Sequence, residues 1–249
     1  MGESLEKNGA KCYAWCLIPN HAHMLLKTGE KKLSKIMGGL LSGYATKFNL
    51  RHKRSGHLFQ NRYKAIICDE EEYFLELIRY IHLNPVRSKI VNDMKELEKY
   101  DWTGYSALMR KREQKWQEVG EVLRRFGSRI SEARLKFSQF VGEGVKMGKQ
   151  HKFSGGGLLR SIGGMAGIIE NRKSGIMEQH DDRILGSGEF VGAIINSIEQ
   201  KDKLSAKMKK EYDLEKLIEN TAKYFSLTKE QIKGQSRIRI ISKARSVLV

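Results

Sequence analysis

The sequence predicts an α+β fold in which a short antiparallel sheet is flanked by helices and gives way, beyond residue 110, to an all-helical region. Three observations carry this reading. Residues 13–27 have strand-like pattern and composition on either side of Pro19-Asn20; residues 69–84 carry a capped amphipathic helix; and the chain after residue 111 is charged, helix-forming and poor in strand signals.

The elements follow in order. Residues 13–18 and 21–27 read as two strands joined at Pro19-Asn20, where proline and asparagine favour a turn. Alternate side chains of a strand share a face, so His21 and His23 project side by side while Ala22 and Met24 point the other way. Two imidazoles so placed could grip one cation, and could equally be surface or hydrogen-bonded histidines. Residues 33–49 place Leu33, Ile36, Met37, Leu40, Leu41, Tyr44 and Phe48 at helical spacing, which predicts core packing and no cofactor site. Asp69 reads as an N-cap with Glu72 at the capping-box position, and acidic residues fill the positive end of the helix dipole. Phe74, Leu77, Ile78 and Ile81 would bury one face of that helix, and Pro85 would end it. Tyr73, Tyr80 and Asn84 lie at i, i+7 and i+11, so the Tyr80 hydroxyl and the Asn84 amide project together. His82, two positions on from Tyr80, turns away from it.

Three segments in this order, Pro19-Asn-His-Ala-His23, Gly56-His-Leu-Phe-Gln-Asn-Arg-Tyr-Lys-Ala65 and Tyr80-Ile-His-Leu-Asn-Pro-Val-Arg87, resemble the HUH single-strand transposases, in particular their REP-associated tyrosine branch. The resemblance spans residues 10–110 and includes Tyr100-Asp-Trp-Thr-Gly-Tyr-Ser106, similar to the aromatic segment that closes the domain in that family. It implies a ferredoxin-like antiparallel sheet backed by helices, over residues 1–110, that lacks the family's usual first strand and helix and so could leave an open sheet edge. It also implies His21 and His23 as metal ligands, Asn84 as a third ligand and Tyr80 as the catalytic nucleophile. The cofactor expected is Mg²⁺ or Mn²⁺, because few protein ligands leave positions open for phosphate and water. The implied reaction is cleavage and rejoining of single-stranded DNA through a covalent phosphotyrosine. No Gly-x-x-x-x-Gly-Lys-Ser/Thr phosphate loop is present, as expected where each ester broken is replaced by another. A metal-dependent hydrolase using water, a non-catalytic DNA-binding protein and a degenerate transposase remnant are the alternatives.

Charge points to the same partner. The 249 residues carry 46 Lys plus Arg against 29 Asp plus Glu, a formal net charge of +17, which is the footprint of a nucleic-acid binder. From Lys47 to Cys68 there are six basic residues and no acid, with His52, His57, Phe59 and Tyr63 interleaved. Lys47, Arg51, Lys53, Arg54, Arg62 and Lys64 could therefore neutralise phosphates while the rings stack unpaired bases, or Arg62 and Lys64 could be an ordinary solvated strand face. DNA, as single strands or hairpin repeats, is the expected partner; a homodimer is an open option, and no membrane is implied.

Residues 111–175 read as a helical and then Gly-rich connector, with ten glycines between Gly142 and Gly175. Residues 176–249 form a predicted helical segment. Ile184-Leu-Gly-Ser-Gly-Glu-Phe-Val191, Leu214-Glu-Lys-Leu-Ile-Glu-Asn-Thr-Ala-Lys-Tyr-Phe225 and Gln231-Ile-Lys-Gly-Gln-Ser-Arg-Ile-Arg-Ile-Ile-Ser-Lys-Ala-Arg245 are together similar to the C-terminal DNA-binding domain of the replication initiator DnaA, without its last helix. Leu214, Leu217, Ile218, Ala222 and Phe225 define an amphipathic helix there, and Ser226-Leu-Thr-Lys-Glu reads as a turn and a new N-cap. Arg237, Arg239, Lys243 and Arg245 join Arg51, Lys53, Arg54, Arg62 and Lys64 as candidate DNA contacts. Three cysteines, Cys12, Cys16 and Cys68, argue against a disulfide scaffold; Cys12 and Cys16 are expected on one strand face as small hydrophobes. With no run of about eighteen apolar residues and no signal peptide, the expected location is cytoplasmic.

Overall fold

The computed structural model describes residues 1–148, 153, 181, 183–211, 214–236 and 238–248. They form two units, Met1–Val191 and Gly192–Val249. The first contains helices α1 (Gly2–Lys7), α2 (Leu33–Arg51), α3 (Glu70–His82), α4 (Asn84–Arg87), α5 (Met94–Lys99), α6 (Tyr105–Leu108), α7 (Val119–Arg124) and α8 (Ile130–Lys146). Its strands are β1 (Lys11–Ile18), β2 (His21–Lys27), β3 (Ile67–Cys68) and β4 (Ile184–Leu185). The class is α+β, but the antiparallel sheet among the described residues is the β1–β2 hairpin alone, beside a short parallel β3–β4 pair.

The hairpin turns at Pro19-Asn20, with Ile18 opposite His21 and Cys16 opposite His23. Its register shifts between Cys12 and Ala14, so Tyr13 is an extra residue and the strand reverses its facing there. Tyr13, Ala14 and Cys16 consequently join the cluster of Phe74 and Ile78 from α3, whereas Cys12 and Trp15 join Leu5 and Ile36 from α1 and α2. The bulge thus overturns the expectation that Cys12 and Cys16 share a face. Both thiols are fully buried, and burial pushes each up to about 12, which leaves them un-ionised at neutral pH.

The free edge of β1 is covered from within the chain. Leu17 N–H donates to the Trp102 carbonyl at 2.8 Å, Gly104 N–H to the Trp15 carbonyl at 2.9 Å, and Glu118 N–H to the Cys12 carbonyl at 2.8 Å. Buried Gln117 locks the layer: its amide nitrogen donates to the carbonyls of Tyr13 and Gly104, and its oxygen accepts from Trp15 Nε1 at 3.0 Å. Gly104 is required at this crossing because a Cβ would stand 2.7 Å from the Gln117 amide. The edge that a missing strand could leave open is covered by Trp102 and Gly104 of the aromatic segment and by Glu118.

Helix α3 is fixed at both ends. The Asp69 side chain accepts from Glu71 N–H at 3.0 Å, so the cap forms at the second helical residue without the reciprocal box expected from Glu72. Its apolar residues Phe74, Leu77, Ile78 and Ile81 are buried, as the spacing predicts. The helix stops at His82, and Pro85 lies inside the separate turn α4.

Three segments differ from expectation according to the neighbours each one meets. Residues 111–146 are no connector: Val122, Leu123, Ala133, Phe137 and Val141 complete the same core as Ile78 and Leu83, so residue 110 is not a structural boundary. In α2 only Ile36 and Met37 are buried, and its second half carries Tyr44 into solvent. Residues 52–66 form no strand and take part in no strand pairing among the described residues. Arg62 and Lys64 sit instead on an exposed irregular segment. Gly155-Gly-Gly157, Gly163-Gly164 and the boundary at 175/176 lie outside the described residues.

The second unit holds most of α9 (Gly188–Glu211), then α10 (Leu214–Phe225), α11 (Lys229–Lys233) and α12 (Arg239–Val247). Ile218, Ala222, Ile232 and Ala244 form its core, whereas Leu214 and Leu217, expected to be buried with them, are exposed. Ser226 takes a positive φ of 53° and Thr228 makes a full capping box with Gln231, as the turn and N-cap reading anticipates. No helix among the described residues is long and apolar enough to cross a membrane.

Candidate active site

The hairpin and α3 bring three of the predicted site residues together. His21 and His23 stand on one face of β2 with ring centroids 4.8 Å apart, and the His23 ring meets the Tyr80 ring edge-on at 6.1 Å. Leu25, next on that face, packs into the core under α3, which is why the histidine pair is carried to the helix. His21 Nδ1 lies 2.7 Å from Asn20 Oδ1, a contact that orients the ring. Burial, reinforced by the charge of neighbouring His21, holds His23 below the ordinary histidine range, so it is neutral at pH 7 and offers a lone pair.

Residues 1–84 match the IS200-like transposase family. Searches of curated proteins and of solved structures return no match. The IS200-like segment takes in all four residues expected of the catalytic centre: His21, His23, Tyr80 and Asn84.

Asn84 ends this segment and is buried. Its amide nitrogen donates to the carbonyls of Tyr80 and Ile81 at 2.9 and 3.2 Å, closing the C-terminal end of α3. That commitment leaves Oδ1 as the atom able to meet a cation. No described contact joins Asn84 to either histidine. His82 does turn away: it is fully buried against Tyr105 and Phe137, with neither ring nitrogen hydrogen-bonded.

Arg87 is the site residue that sequence reasoning passed over. It lies just beyond the IS200-like segment, and its guanidinium sits 4.9 Å from the Tyr80 ring centroid while Nη1 donates to the Tyr80 carbonyl at 3.1 Å. Half-buried, it meets no carboxylate among the described residues. Its spacing of i+7 from Tyr80 was the available signal, hidden by the break at Leu83. Tyr80, Asn84, Arg87 and Ser88 line one cleft of about 520 Å³, with Val145 and Gly148 on its far wall. Phe153 covers the Tyr80 ring from another side at 5.0 Å.

Of the expected metal ligands, His21 and His23 stand together. No group of three or more His, Cys, Asp or Glu side chains converges among the described residues, so a closed structural zinc site is absent from them. The adjacent rings of His21 and His23 fit an open site for a divalent ion.

The candidate DNA contacts divide by environment. Arg51, Lys53, Arg54, Arg62 and Lys64 are all exposed, and none meets a carboxylate among the described residues. Arg239 and Lys243 are exposed one turn apart on α12. Arg245 is not free: its guanidinium donates to the carbonyls of Ile232 and Ser236 at 2.7 Å, of Gln231 at 3.1 Å and of Gly234, tying α12 to the end of α11. Arg237 lies outside the described residues.

Proposed function

We propose that this chain is a transposase that cleaves and rejoins single-stranded DNA, with Tyr80 as nucleophile. The observation that carries the reading is the placement of the Tyr80 ring against His23 of the His21/His23 pair, within the segment that matches IS200-like transposases. In the reaction, Tyr80 Oη bonds to a DNA phosphorus, the bond from that phosphorus to one sugar oxygen breaks, and the sugar leaves as a free hydroxyl. The phenol proton is lost to solvent or to a neutral base. A second strand's hydroxyl then displaces the tyrosine, so the number of phosphoester bonds is unchanged and no nucleotide is hydrolysed.

Each neighbouring side chain has a task. His21, His23 and the Asn84 oxygen would hold Mg²⁺ or Mn²⁺, which supplies Lewis-acid polarisation of the phosphate. Arg87, which meets no carboxylate among the described residues, brings a positive charge to the cleft beside Tyr80, where a phosphodiester oxygen would be its natural counter-charge. Arg51, Lys53, Arg54, Arg62 and Lys64 hold the strand through its phosphates. The REP-associated branch, hairpin repeats as targets and duplex contacts from the DnaA-like segment through Arg239 and Lys243 belong to the same proposal.

The test is a denaturing gel of labelled single-stranded hairpin DNA incubated with Mn²⁺ and either wild-type protein or the Tyr80→Phe variant. A covalent adduct with wild type only is expected. No adduct on several hairpins, from protein shown by circular dichroism to be folded, would replace catalysis with plain DNA binding.

A further inference from the structure

Helix α2 leaves the core after Met37, and the apolar stripe that its spacing would bury becomes a row of rings in which Tyr44, His52 and Phe59 are exposed and Phe48 is half-buried. Tyr44, Phe48 and His52 succeed one another a turn apart. Tyr44 and Phe48 have centroids 6.0 Å apart, and Phe48 and His52 are 4.2 Å apart. Phe59 returns from the irregular segment to join the row 6.1 Å from Tyr44, and the Arg54 guanidinium lies 5.8 Å from the Phe48 ring centroid. Tyr44 is 54 % exposed and Phe59 41 %. Lys47 and Arg51 flank the row on the same helix, and no acid occurs between Lys47 and Cys68.

We infer that this row is a stacking platform for the unpaired bases of single-stranded DNA, distinct in place from the Tyr80 cleft. Rings alone would suit a second protein surface equally well. The cations decide between them: an acid-free rim repels another copy of this basic chain and matches a phosphate backbone whose bases reach the rings between phosphates. A duplex, with its bases already stacked, could use the rim but not the rings. The inference rests on the single-strand reading above and assigns it a surface.

The test uses the full chain carrying Tyr80→Phe, so that binding is read without chemistry. Its affinity for a labelled oligo-dT strand and for a duplex of equal length is measured by anisotropy at several salt concentrations, with and without Tyr44→Ala and Phe59→Ala together. Single-strand affinity should fall by about 10-fold or more, with duplex affinity and the salt slope unchanged. Lys47→Ala with Arg51→Ala should instead weaken both and flatten the slope. Unchanged single-strand affinity, or equal loss on both DNAs, would overturn the platform. So would a ring-dependent change in sedimentation without loss of affinity, which would assign the face to self-association. Wild-type adduct formation alongside unchanged affinity sinks the platform alone; lost affinity without any adduct sinks only the nucleophile.

Discussion

Arg87 and His82 show how two basic side chains near one tyrosine come to different uses. Arg87 keeps its charge because a guanidinium does not deprotonate in proteins, and it spends only one described hydrogen bond on the backbone. Replacing Arg87 with Ala should lower the rate of adduct formation about 100-fold while single-strand affinity changes by less than about 3-fold, because its effect would be concentrated on charge developing in the transition state. Quench-flow gels and anisotropy on the same preparations check this, and Arg87→Lys should recover part of the rate. His82 is the opposite case, a ring stripped of solvent and pushed down to about 3 by burial. The folded state then holds the neutral ring, whereas the unfolded chain takes up a proton below pH 6.5. Stability from this site is therefore complete above about pH 6.5 and falls, by up to about 1.4 kcal/mol per pH unit, as pH drops from there towards 3. Urea unfolding at pH 7 and pH 5 should show a larger loss for wild type than for His82→Leu, and equal losses would contradict it.

Among the elements, α3 has the most work to do, and its packing against α8 sets where Tyr80 sits. The two helices approach at Gly144, where a Cβ would stand 2.6 Å from Arg79 Cδ and 2.8 Å from Leu83 Cδ1. Gly144→Val should destabilise the protein by about 1–3 kcal/mol in urea titrations through overpacking, with adduct formation falling as well because α3 moves. A neutral effect would show that the approach is looser. The cap and amphipathic face of α3 were legible in the sequence because Asp69 and the Phe74, Ile78, Ile81 spacing are local signals. The hairpin was legible for the same reason, and with it the side-by-side histidines. Contacts at long separation were not. Nothing local announces that Tyr13 bulges, that Thr103 and Gln117 return to the edge of β1, or that α8 fills the core over α3. The fate of α2 was hidden for a related reason: helical spacing reveals that an apolar stripe exists, but only the surrounding chain decides whether anything covers it.

At the scale of the whole molecule, a net charge of +17 would draw in a phosphate backbone over long range, and the proposed DNA contacts fall in both units. Arg239 and Lys243 are exposed on α12, whereas Arg245 is spent on its own unit's carbonyls. Charge counting in the sequence could not separate these, since it ignores what each guanidinium already holds. Arg239→Ala with Lys243→Ala should therefore reduce the salt slope of duplex binding by about 1–2. Arg245→Ala should chiefly lower the melting temperature of its unit. A slope unchanged by the double variant would remove α12 from the DNA interface. The central claim is narrower than any of these, namely that Tyr80 itself becomes joined to DNA. The most direct measurement is mass spectrometry of a nuclease- and protease-digested adduct formed with Mn²⁺ and a single-stranded hairpin. A nucleotide phosphate on Tyr80 is the result expected; an adduct on a different residue, or a cleaved strand with no modified tyrosine, would contradict the account.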